Sequence, residues 1–117
     1  MKADELARCI DAEVLFECAR LQDEIEKVYA GDSISDLLTQ ADEKTLIVSQ
    51  LVGAALVRAA ALVDAPAICF VDRSMPPDQA VRVAKELGVA LMVSPIGLRD
   101  THDRVFRHLT KPCGTAS

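Results

Sequence analysis

The chain has 117 residues, half of them apolar, with 3% aromatic residues, no tryptophan and a formal charge of −5. That length suits one folding unit with an ordinary core, which this composition must build from Val, Leu, Ile and Ala. The acidic balance argues against a nucleic-acid partner, because binding a phosphate backbone needs clustered Lys and Arg to displace counterions.

No hydrophobic targeting segment opens the chain, and the longest apolar stretch, 51–63, is interrupted by Arg58. Nowhere do the roughly 18 uncharged apolar residues of a membrane span run together, so the expectation is a soluble, cytoplasmic protein. The four cysteines, Cys9, Cys18, Cys69 and Cys113, form no C-x-x-C pair and have no histidine at ligand spacing. No metal or cofactor is therefore expected.

Leu6, Cys9 and Ile10 share a helical face, which predicts a short amphipathic helix over 3–10 closed by Asp11. Residues 12–17 alternate Val14 and Phe16 with Glu13 and Glu17, the pattern of an edge strand. A second short strand is expected over 25–30, with Ile25 and Val28 or Tyr29 inward. Gly31-Asp-Ser-Ile-Ser35 then breaks the pattern. Asp32 or Ser33 is placed to cap a helix running to residue 41, with Leu37 and Leu38 inward.

Three continuously apolar runs follow, over 45–49, 67–71 and 89–93, and each gives way to a helical pattern. Strands without polar alternation are those covered on both faces, as in a parallel sheet. The first of the helices is expected over 50–61, with Val52, Ala55, Leu56, Ala59 and Leu62 as its apolar stripe. The second has Pro77 in its first turn, turns Ala80, Val83, Ala84 and Leu87 inward, and stops at Gly88 in a left-handed cap. The last is capped by Asp100 or Thr101 and carries Val105, Phe106 and Leu109. Residues 1–110 thus read as one domain and 111–117 as a flexible tail. The rhythm predicts an α/β fold, a three-layer sandwich around a mainly parallel central sheet of four or five strands.

Such sheets place ligands outside the carboxyl ends of their strands, which nominates Ser49, Gln50, Asp72, Arg73, Ser74 and Ser94 along one edge. Arg73 is the strongest of these, since a guanidinium grips phosphate or carboxylate in a bidentate way; an exposed ion pair with Asp72 or Asp78 accounts for it equally well. Gly31, Asp32 and Ser33 precede a helix, where free N–H groups hold anions, although an ordinary N-cap after a turn glycine explains the same residues. Thr101 and His102 complete the candidate ligand set. His102 stands between Asp100 and Asp103 as a general base would, but no nucleophile sits at a recognisable elbow, so no catalytic residue is nominated and an enzyme is not expected. Asp72 and the late Lys111-Pro112 imitate a phosphate-accepting receiver domain. The acidic pair that such a domain needs after its first strand is missing.

The stretches Tyr29-Ala-Gly-Asp-Ser-Ile-Ser-Asp-Leu-Leu38, 77–94 (PDQAVRVAKELGVALMVS) and Leu98-Arg-Asp-Thr-His-Asp-Arg-Val-Phe106 carry a resemblance to the DRTGG domain, over residues 2–109. That family is related in fold to the N-terminal domain of HPr kinase/phosphorylase. The resemblance implies a non-catalytic regulatory module, a homodimer, with an adenine nucleotide or another small anionic metabolite as its ligand. The alternative that it implies is an accessory module for a redox enzyme such as an iron-only hydrogenase, working through protein contacts without a small molecule. In one place the chain departs from the family pattern: Asp72-Arg73 stands in the loop where the family carries glycines.

Overall fold

The computed structural model describes residues 1–110; residues 111–117, expected above as a tail, lie outside the described residues, and Cys113 with them. In chain order the elements are α1 (Ala3–Cys9), β1 (Glu13–Val14), a 3-10 turn (Ala19–Gln22), β2 (Lys27–Ala30), α2 (Ile34–Gln40), β3 (Thr45–Ser49), α3 (Ala54–Leu62), β4 (Ala67–Phe70), α4 (Asp78–Leu87), β5 (Ala90–Val93) and α5 (Leu98–Thr110).

The five strands form one sheet in the order β1-β5-β4-β3-β2. Strands β2 to β5 run parallel, and β1 pairs antiparallel with β5 through Glu13 opposite Val93 and Val14 opposite Met92. Every residue of β3, β4 and β5 is buried. Because successive side chains on a strand point to opposite faces, the three apolar runs feed two cores at once. Ile47, Ile68, Phe70 and Leu91 pack under α2, α3 and α4, while Leu46, Val48, Cys69 and Met92 pack under α1 and α5. The result is the expected three-layer α/β sandwich. Burying a side chain the size of Phe70 or Leu91 contributes about 2–3 kcal/mol each, so the apolar runs are the main source of stability.

The helices differ from expectation in where they start and in what they bury. Helix α3 begins at Ala54 rather than at residue 50, because the Ser49 hydroxyl accepts the Leu51 N–H at 3.0 Å and holds 50–53 as a loop. Its buried residues are Leu56, Val57, Ala59 and Ala60, which pack in the core between α2 and α4; of the expected stripe, Ala55 is exposed and Leu62 is left 79% exposed at the helix end. Pro77 stands just before α4 as its N-cap. Helix α5 starts at Leu98, which puts Thr101 inside the helix rather than at its cap. Its buried stripe, Thr101 and Val105, is narrow, so Phe106, one position away and about 100° around the helix, faces outward. The same offset exposes Leu38 beside buried Leu37, and Leu87 is exposed as the last residue of α4. Gly88 does take the left-handed cap, at φ 75°.

Candidate functional site

Four parallel strands in register bring their carboxyl ends to one edge, and the loops there are joined by backbone hydrogen bonds. Gly31 N–H donates to Val48 C=O (3.1 Å), Val71 N–H to Ser49 C=O (3.3 Å), Ser94 N–H to Phe70 C=O (2.8 Å) and Arg73 N–H to Ser94 C=O (3.0 Å). The nominated residues after β3, β4 and β5 therefore do line one edge. Helices α2, α3 and α4 all leave it for the same face of the sheet, whereas α5 leaves for the other. The helices after β4 and β5 thus leave for opposite faces, the arrangement at which an open α/β sheet places its crevice, while the two loops themselves are joined by backbone hydrogen bonds.

A depression of about 360 Å3 lies at this place, lined by Asp11, Glu13, Arg73, Met75, Val93 and Pro95. Arg73 reaches it from a tight turn. Ser74 N–H donates to Val71 C=O at 3.0 Å, and the two central residues, Asp72 and Arg73, have φ of 55° and 57°. Positive φ at both central positions is the type I′ pattern, for which glycine, asparagine and aspartate are preferred. The backbone here takes a conformation that glycine adopts freely, while the side chains are an aspartate and an arginine. Among the described residues Arg73 has no ion-pair partner within 4 Å, so the ion pair with Asp72 or Asp78 that would equally have accounted for it is not formed.

The hydroxyls along the edge serve the loops themselves. Ser94 Oγ, buried, donates to Ile10 C=O at 2.8 Å and accepts the Ile96 N–H at 3.1 Å, and Ser49 Oγ holds Leu51 as described. Ser74 closes the turn through its backbone, and Gln50 is exposed. Asp72 N–H donates to Ile96 C=O at 3.0 Å, which ties the β4–α4 loop to the β5–α5 loop.

Gly31, Asp32 and Ser33 follow β2, with β3 standing between them and the Arg73 turn. At about 4.8 Å per strand that separation is roughly 10 Å, and the two groups line different parts of the edge. Ser33 Oγ accepts the Asp36 N–H at 3.3 Å as the N-cap of α2, a helix of only 7 residues. Tyr29 lies over Gly31 and donates its hydroxyl to Ser33 C=O at 3.1 Å; burial first, then the nearby Asp36 and Asp32 carboxylates, raise the pKa of that phenol. Thr101 is fully buried on α5 with its hydroxyl unpartnered. His102 is half-buried, reaches Asp103 at 3.4 Å and stacks on Phe106 at 5.7 Å between ring centroids. Its hydrogen bond goes to a carboxylate rather than to a hydroxyl that it would activate.

Asp11 and Glu13 are lining residues that sequence reasoning did not nominate. In sequence Asp11 marks the end of a helix, and the alternation over 12–17 puts Glu13 on the solvent side of a strand. Only the antiparallel pairing of β1 with β5 brings them beside the Arg73 turn. Among the described residues no group of three or more His, Cys, Asp or Glu is placed to hold a metal ion, and no helix is long and apolar enough to cross a membrane.

No protein-family model matches the chain, and no curated protein matches it in sequence. Its fold is similar to that of a solved structure, the CBS and DRTGG domains of the regulatory region of Clostridium perfringens pyrophosphatase complexed with its activator, diadenosine tetraphosphate. The TM-score is 0.65 at 12% sequence identity, over 89% of this chain and 45% of that one. The chain is thus an α/β domain with a fold found in a CBS–DRTGG regulatory region, consistent with the DRTGG-like fold expected above, and it spans less than half the length of the structure it matches.

Proposed function

We propose that this chain is a non-catalytic regulatory domain of the DRTGG type, a cytoplasmic homodimer that senses a small anionic metabolite or an adenine nucleotide. The observation that carries this reading is Arg73, an exposed guanidinium without an ion-pair partner among the described residues, held over a depression at the divergent edge by a turn that disfavours its side chain. Strained, solvent-facing positions of this kind persist where a side chain has a task. The fold likeness adds support, since the matched regulatory region was solved with an adenine-containing activator. The serines at the edge are engaged in loop contacts, which favours binding over covalent chemistry.

The test is a thermal-shift titration with ATP, diadenosine tetraphosphate, inorganic phosphate and a panel of small carboxylate-bearing metabolites, amino acids included, beside sedimentation analysis of the oligomeric state. A ligand at a hundred times its dissociation constant adds about 2.7 kcal/mol of stability. The expected result is a saturable rise that Arg73→Ala abolishes. A purely monomeric protein would remove the homodimer, and the absence of any stabilising compound would favour the second reading. That reading, an accessory module for a redox enzyme such as an iron-only hydrogenase, draws support from Leu62 and Leu87, exposed at the ends of the adjacent helices α3 and α4.

A further inference from the structure

We infer that the depression beside Arg73 binds a small zwitterion, a compound carrying one carboxylate and one ammonium group in the manner of an amino acid, and not a polyphosphate. This rests on the sensing reading above, keeping its small carboxylate-bearing metabolite and setting aside its nucleotide.

The lining decides the charge. Arg73 supplies one cation, while Asp11 and Glu13 supply two anions, and Met75, Val93 and Pro95 complete the wall with apolar surface. A chain of phosphates would place several negative charges against both carboxylates, with Arg73 as the one guanidinium of the lining and Arg104, 3.8 Å from Asp11, already turned to a carboxylate. Like charges at close range disfavour one another, and little in the lining compensates. A ligand with one charge of each sign meets a partner for both: its carboxylate on the Arg73 fork, its ammonium between Asp11 and Glu13, its side chain on Val93 and Met75.

The size agrees. At about 360 Å3 the depression stands near the lower end of small-molecule sites, which run from roughly 300 to 1,000 Å3, so it suits an amino-acid-sized ligand better than a dinucleotide. Backbone strain gathers at the same place. Of the four described non-glycine residues with positive φ, Asp11 (54°) and Arg73 (57°) line the depression and Asp72 adjoins it. Asp11 is held only loosely by Arg104, at 3.8 Å and with most of its side chain exposed, so its carboxylate is free to turn to a ligand.

The experiment is a backbone amide NMR titration of the full chain with each of the standard L-amino acids, and in parallel with ATP and diadenosine tetraphosphate. At least one amino acid is expected to give saturable shifts at the amides of 11–13 and 72–75, with affinity falling tenfold or more in Glu13→Gln and in Arg73→Lys. Both variants change exposed side chains, and an unaltered spectrum elsewhere shows that they are folded. Saturation of the same amides by the nucleotides and by no amino acid overturns the zwitterion while leaving the sensing reading in place. Amino-acid shifts that survive both variants also overturn it, and no shift with either panel overturns both readings.

Discussion

The Tyr29 hydroxyl lies 2.8 Å from the point that a Cβ on Gly31 would occupy. What constrains Gly31 is therefore the tip of the Tyr29 side chain rather than the backbone, since the only described glycine with positive φ is Gly88. In Gly31→Ala the ring must move and give up its bond to Ser33 C=O, which also loosens the entry to α2. The expected cost is about 1–2 kcal/mol by urea unfolding. In a Tyr29→Phe background, which lacks both the hydroxyl and the bond, the penalty should fall by about half. Strict additivity in that double-mutant cycle would refute the contact as its cause.

Ser94 joins the end of β5 to the end of α1 across 84 residues of chain, through one buried hydroxyl on Ile10 C=O. Ser94→Ala strands that carbonyl and the Ile96 N–H without replacing either bond. A buried group left unpaired costs about 1–3 kcal/mol, so the variant should unfold at distinctly lower denaturant with an unchanged m-value. A change within a few tenths of a kcal/mol would mean that water takes over the bond and that Ser94 is free for another role.

Cys69 sits inside β4, where burial pushes its thiol up to about 12 from an ordinary value of 9.0. The native state thus keeps its proton over a range in which the unfolded chain loses it. Stability from this group is complete below pH 9 and is lost as pH rises from there toward 12, by about 1.4 kcal/mol per pH unit while it alone titrates. Chemical denaturation at pH 8, 9 and 10 should show a steeper alkaline loss in the parent than in Cys69→Ala. In native protein at neutral pH, half-buried Cys18 should react with a thiol reagent while Cys69 stays inert. Equal labelling of both would contradict the burial.

What could be read from the sequence follows the strength of its patterns. The runs at 45–49, 67–71 and 90–93 are apolar at every position but the ends, and a strand buried on both faces is what such runs form, so the sheet and its parallel sense were legible. Helix faces were less so. Leu38, Leu62, Leu87 and Phe106 are apolar yet exposed, and an apolar residue one position from a narrow buried stripe looks the same in sequence as one within it. The edge residues after β3, β4 and β5 followed from topology alone. What was hidden is the partner of β1: the alternation over 12–17 announces an edge strand but not that its two paired residues lie against β5. With β1 went the two carboxylates that turn an arginine loop into a site of mixed charge. The conformation of Asp72-Arg73 was hidden for a different reason: of the residues that announce a type I′ turn, glycine, asparagine and aspartate, this turn has only Asp72, with an arginine at its second central position.

That turn separates stability from binding. At its second central position a side chain in the left-handed region costs roughly 1–2 kcal/mol relative to glycine, and the Arg73 side chain has no ion pair among the described residues that would offset this cost. Arg73→Gly removes the strain but also frees the unfolded backbone, which returns about half of the gain. The net expectation is a stabilisation of about 0.5–1 kcal/mol, seen as a rise in Tm of a few degrees for a domain of this size, together with loss of any ligand that the guanidinium holds. Arg73→Ala keeps the Cβ and the strain, so it should lose the ligand without the rise. If Arg73→Gly were less stable than the parent, the side chain would be making a structural contact, and the case for Arg73 as a binding residue would fail with it.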